Sequence, residues 1–225
     1  MKVMKKIFLL FFTLFLLIIN NLIAQKDTIK VEDDLLNSLT SDSSNQEKLL
    51  PDHMIITQRI LWGEKGLMRN FNTFELTPEK RANELKIRRT MLVTHQVLGT
   101  LTSLGMIAQG IVGSKLYNGD RSLKDLHEGI AAGVNIGYFT TAALSLFSPP
   151  KMFNERKGFS SIKIHKYLAI IHMTSMIATN ILADQLESEG NLPPSNHVLQ
   201  MRKWHRAAAF TAFGSFFAAE IVIKF

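Results

Sequence analysis

Four apolar stretches, each about as long as a membrane is thick, constrain this chain more than any other feature. They run over about Met91–Val112, Leu123–Phe147, Ile162–Leu186 and His197–Ile223. A helix rises 1.5 Å per residue, so ~20 residues cross a hydrocarbon core of ~30 Å. Each stretch is apolar or small on nearly all sides and lacks the charged face a soluble helix would carry. Thr77 is a suitable N-cap and Pro78 fits the first helical position, so the first helix starts there and runs through a charged stretch to Arg89 before turning apolar. Gly113 and Asn118-Gly119 are expected to end it; Pro149-Pro150 stop the second span, and Pro193-Pro194 separate the third from the fourth. Such short connections make consecutive helices antiparallel neighbours. The expected fold is an all-α membrane protein, an antiparallel four-helix transmembrane bundle.

The N-terminus reads as an address. Met1–Lys6 is positive, Ile7–Ile19 is apolar, and Leu22-Ile23-Ala24 before Gln25 has the form of a cleavage site, so residues 1–24 are expected to be a signal peptide. Residues 25–52, with polar side chains clustered from Ser38 to Gln46, read as a disordered linker. Residues 53–89 form an exported amphipathic segment and helix extension, and 90–225 the transmembrane domain. The apolar residues of 53–75 are too few for a core, so that piece is expected to lie on the membrane surface or cap the bundle. This order implies a multi-pass protein of a bacterial inner membrane, N-terminal segment exported. The basic residues point the other way, ten on the exported side (Lys80 to Lys166) against six on the other (Lys115 to Arg206).

Composition narrows the chemistry. The formal charge is +7, and removing Lys2, Lys5 and Lys6 with the signal leaves +4, scattered rather than striped, which argues against nucleic acid. With no cysteine there is no disulfide, iron–sulfur or thiolate-zinc site, so any metal falls to histidine. No nucleophile elbow, phosphate loop or HExxH pair supports hydrolysis.

His53 and His197 have polar surroundings; His95, His127, His165, His172 and His205 lie within or at the edge of spans, where an ionisable group is costly and marks a site. His95 and His165 (or His172) stand near the starts of the first and third helices, and His127 and His205 near the starts of the second and fourth. Alternate helices run in opposite directions, so each leaflet receives histidines from two diagonal partners. Facing imidazoles across a helical core suit a bis-histidine haem, here twice. Gly99, one turn after His95, and Gly110 and Gly113 near the same face leave room for a ring, as do Ala208, Ala209, Ala212 and Ala219 around His205. Gly129, Gly133 and Gly137 read as a helix–helix contact. His172 lies on the face of His165, ~10 Å deeper, too close for two haems on one helix. Gln109, Asn135 and Glu220 leave a protonic route open.

At these residues the chain resembles the cytochrome b561 family. The resemblance rests on His95-Gln96-Val97-Leu98 with Ala108-Gln109, Lys124-Asp125-Leu126-His127, His165-Lys166-Tyr167-Leu168, and Trp204-His205 with Ala218-Ala219-Glu220, over about Thr90–Val222. Gaps of 32, 38 and 40 residues between successive histidines follow the family's rhythm. The resemblance implies two haem b groups per chain, bound by His95 with His165 and by His127 with His205, with His172 beside the macrocycle. Gly99, Lys166 and Arg202 are further expected cofactor contacts; Lys163, Arg88, Arg89, Lys124 and Arg206 are candidate propionate partners. It implies an electron carrier or oxidoreductase subunit. The family's flanking helices and basic ascorbate loops have no counterpart, and Gln109 stands where an acidic residue is usual. Membrane lipid, a quinone or an exported redox partner are the expected partners, and a homo-oligomer is left open. Two other readings stay beside it: a haem-free membrane scaffold or assembly protein, and a quinone-binding anchor subunit of a redox complex.

Overall fold

The structure, a computed structural model, describes residues 49–152, 160–189 and 195–224. The expected signal peptide and all but the end of the expected linker lie outside the described residues, as do the loop residues Arg156 and Lys157 and the Pro193-Pro194 pair. The described residues are helical and contain no strand. They form a short helix α1 (Ile56–Trp62) and four long ones: α2 (Pro78–Tyr117), α3 (Lys124–Leu146), α4 (Ser161–Ser188) and α5 (Asn196–Lys224).

The starts follow capping chemistry. The Oγ1 of Thr77 accepts from the Lys80 amide at 3.4 Å, Ser160 Oγ from the Lys163 amide at 3.3 Å, and Ser195 Oγ from the Val198 amide at 3.2 Å, satisfying helix-terminal donors. Helix α2 runs through Gly113 rather than ending there, because an isolated glycine costs a helix only about 1 kcal/mol. It turns at Gly119, whose φ of 110° lies where a side chain would be strained.

Three stretches are helical, long and apolar enough to cross a membrane: Pro78–Tyr117, Arg121–Leu146 and Asn196–Ile223. The chain is thus read as a multi-pass membrane protein. Helix α4 forms where a span is expected, but His165, Lys166, His172, Asn180 and Asp184 dilute its apolar character, and it does not join that set.

The chain divides into two compact units. In the one containing Met68–Glu84, Glu84 is fully buried and bonds two guanidiniums, Arg69 and, at 2.7 Å, Arg81. Arg69 also donates to the Phe74 carbonyl, and Arg81 Nε to the Leu49 carbonyl at 2.9 Å. The other unit holds α1, the rest of α2, and α3 to α5. There α1 caps the end of α3: Thr57 Oγ1 donates to the Leu146 carbonyl at 2.6 Å, Trp62 Nε1 to Phe147 at 2.9 Å and Gln58 Nε2 to Ser148 at 3.1 Å. A helix leaves its last carbonyls without intrahelical donors, and these three side chains, with Arg88 on the Ser148 hydroxyl and Pro149 carbonyl, supply donors at that end. Midway along the long helices, Met106, Val134, Tyr138, Met176, Ala212 and Phe216 make an apolar core drawn from all four.

Candidate functional site

The helices bring four half-buried histidines together in two pairs. His95 of α2 and His165 of α4 have ring centroids 6.2 Å apart, their planes at 79°. His127 of α3 and His205 of α5 have centroids 6.4 Å apart, planes at 70°. A histidine nitrogen sits about 2.0–2.1 Å from a first-row metal, and about 1.1 Å more reaches the ring centre, so imidazoles on opposite sides of one metal have centroids about 6.2–6.4 Å apart. Both pairs have that spacing. It also lies within the ~4.5–7 Å of ordinary aromatic pairs, so the hydrogen bonding of the rings carries the distinction.

His95 Nδ1 is 2.8 Å from the Thr141 carbonyl, His165 Nδ1 is 3.1 Å from that of Ala219, and His205 Nδ1 is 3.1 Å from that of Thr179. A carbonyl only accepts, so each Nδ1 carries the hydrogen, and in the neutral ring the lone pair is on Nε2. A histidine that ligates a metal through one nitrogen characteristically donates from the other in this way.

The contacts follow one rule. Gln109 stands 14 positions after His95, Thr141 14 after His127, Thr179 14 after His165 and Ala219 14 after His205. Each helix therefore gives a histidine to one pair and, ~21 Å further along its axis, a partner to a histidine of the other pair. Within α2–α3, His95 bonds Thr141 and His127 bonds Gln109; within α4–α5, His165 bonds Ala219 and His205 bonds Thr179. The two helical hairpins are related by this pattern, and the histidine pairs bridge them.

His127 is the exception. Its partner is the Gln109 side chain, whose Nε2 lies 3.2 Å from the ring Nε2, while His127 Nδ1 and Gln109 Oε1 are buried without a hydrogen bond. The ring lies directly over Gly113, where an added Cβ would stand 2.8 Å from its Cε1. Gly99 is buried in the first site, facing Glu220 Oε1, Thr141 and Phe216. Glu220 Oε2 accepts from Ser103 at 2.7 Å in that region.

His172 belongs to neither pair; it is His165 that lies opposite His95. The residues seven positions after each paired histidine are Thr102, Val134, His172 and Ala212, all buried, midway along the interval between the pairs. His172 shares a 2.6 Å hydrogen bond with the Tyr138 hydroxyl and packs edge-on to Phe216. Asn135 and Asn180 exchange hydrogen bonds of 2.8 and 2.9 Å between α3 and α4 rather than facing a histidine.

The expected peripheral contacts fare unevenly. Lys166 is exposed beside His165, and Arg202 half-buried one turn before His205. Arg88 is engaged by Ser148 and Pro149, Lys124 pairs with Glu128 at 3.5 Å, and the Arg206 guanidinium lies 4.5 Å over the Tyr117 ring. Of the Gly129, Gly133 and Gly137 series, expected as a helix contact, Gly137 alone has a neighbour on another helix within 4 Å of an added Cβ, at Thr102; Gly129 and Gly133 face open space, as does Gly110 of α2. The partners of the histidine Nδ1 atoms went unanticipated, since three are main-chain carbonyls that no side-chain type announces. The constant 14-residue interval was the available signal. Compared with protein-family models, curated proteins and solved structures, the chain matches none.

Proposed function

We propose that this chain is a di-haem b cytochrome of the cytochrome b561 type: a four-helix transmembrane bundle that carries electrons within or across a bacterial inner membrane, its N-terminal segment exported. The observation that carries the reading is the double histidine pair, each spaced for a metal between the rings. Among the described residues no three His, Cys, Asp or Glu side chains cluster. A bare ion would thus find two protein donors at each pair, whereas a haem iron, with its macrocycle supplying the other donors, would need only the two histidines. His95 with His165, and His127 with His205, would hold the two haems.

Bound haem supplies a one-electron ferric/ferrous couple. The chain's part is orientation and environment. The carbonyls of Thr141, Ala219 and Thr179 fix the tautomer and ring direction of three ligands and raise their basicity. At His127 no carbonyl of the described residues does this; the Gln109 amide nitrogen lies 3.2 Å from the ring Nε2 instead. The core of Met106, Val134, Tyr138, Met176, Ala212 and Phe216 excludes water between the pairs and keeps the dielectric low there.

The test is a dithionite-reduced minus oxidised spectrum of purified protein, with haem quantified per chain. Two b-type haems are expected, and one in each of His95→Ala and His205→Ala. A folded protein from a haem-sufficient host that carries none would leave the haem-free scaffold, in which the histidine–carbonyl bonds only join helices. One haem in the unaltered chain would favour the quinone-binding anchor subunit.

A further inference from the structure

The cap helix α1 presents two different faces. Thr57, Gln58 and Trp62 turn toward the end of α3 and are tied to its last carbonyls, Trp62 being 5% exposed. The opposite face carries Ile56 and Ile60, 76% and 56% exposed, one turn apart, with Ile55 just before them and Arg59 between. Isoleucine side chains grouped outward on so short a helix are an apolar patch that water does not stabilise.

Its position in the fold says what covers it. Helix α3 has 23 residues, or ~35 Å, against a hydrocarbon core of ~30 Å, so Leu146 and Phe147 lie where the core gives way to headgroups. The hydrogen bonds to Leu146, Phe147 and Ser148 hold α1 at that depth. The helix it caps is itself apolar and exposed: Phe147 at the end of α3 is 46% exposed, and Phe139 and Ile136 along it are 46% and 72% exposed. Arg88, bonded at Ser148 and Pro149, adds a cation at the same level, where arginine reaches headgroup phosphates.

We infer that α1 is an interfacial anchor, its Ile56–Ile60 face seated at the boundary between headgroups and acyl chains while its other face caps α3. This contact with the lipid surface is independent of any cofactor. It makes the segment after the linker part of the membrane-seated body rather than a free arm. Arg59, exposed between the isoleucines in sequence, is of the type that keeps its charged end in water or headgroups while its stem can lie along apolar surface.

The chain has no cysteine, so single cysteines report without background. Ile56→Cys, Ile60→Cys and, as an aqueous reference, Lys65→Cys are made in the full chain, nitroxide-labelled and reconstituted into phosphatidylcholine/phosphatidylglycerol vesicles. Collision rates are measured with oxygen, which partitions into lipid, and with a water-soluble nickel chelate. The inference expects an oxygen-to-nickel ratio several-fold higher at 56 and 60 than at 65. Equal ratios at the three sites would place the face in water and overturn it. Low collision rates with both reagents at 56 and 60 would mean a protein surface covers them, and would overturn it equally. The two labelled side chains point away from the rest of the protein, so neither label disturbs packing, and agreement between them guards against a local artefact.

Discussion

Gly113 is the position where one methyl group tests the second histidine pair. A Cβ there would stand 2.8 Å from His127 Cε1 and 3.1 Å from its Nδ1. Ordinary contact begins near 3.4 Å, so the ring or α2 must yield by about 0.6 Å, and overpacking of this kind costs about 1–3 kcal/mol. The ring has little freedom to move, with Gln109 on one side and His205 at 6.4 Å on the other. A shift of that size is a tenth of the centroid spacing and enough to spoil a ligand geometry set to a few tenths of an ångström. Gly113→Ala is therefore expected to lose the haem held by His127 and His205 and to keep the one held by His95 and His165. Gly110→Ala, one turn earlier with nothing within 4 Å of its Cβ, is the control: it should keep both haems and gain up to about 1 kcal/mol of helix stability. The assay is haem per chain together with thermal unfolding in detergent. Unchanged haem content in Gly113→Ala, or equal loss in the control, would refute the packing argument.

Two further predictions test other parts of the structure. In a His95→Ala background, where one haem is expected to remain, Gln109→Leu removes the side chain that orients His127 and should weaken that haem's retention about 10–100-fold, as loss of an outer-shell partner does; apohaem-transfer kinetics that match the parent would count against it. Glu84→Gln leaves Arg69 and Arg81 buried without their carboxylate, at a cost of about 3–5 kcal/mol; limited proteolysis should cut within Met68–Glu84 at lower temperature than in the unaltered chain, and identical cleavage profiles would show the triad to be dispensable.

What could be read without coordinates was whatever is periodic and local. Length and apolarity give the helices, Thr77 marks the start of α2, and Pro149-Pro150 bounds α3, because capping and backbone restriction act within one turn. Antiparallel connection brings histidines near alternate helix starts to two levels, so the pairs themselves were legible from topology. The segment before α2 left two readings open, membrane surface or cap. Hydrogen bonds to Leu146, Phe147 and Ser148, between residues 85 to 90 positions apart, establish the cap without excluding the membrane surface for the opposite face, and no local pattern encodes them.

The sequence by itself determined that this chain is helical, that its long helices are apolar on a membrane's scale (four expected as spans, of which three are long and apolar enough), and which histidines can meet, since those properties follow from the order of apolar and polar residues along each segment. Only the tertiary structure decided that His165 rather than His172 lies opposite His95, that Gly113 rather than Gly110 lies under a ring, and that three of the four paired imidazoles are held by carbonyls. Those outcomes depend on how far each helix is rotated about its own axis. A rotation of a few tens of degrees exchanges one helical neighbour for the next, and it is fixed by contacts among all the helices at once: Tyr138 with His172, Asn135 with Asn180, Gly137 with Thr102.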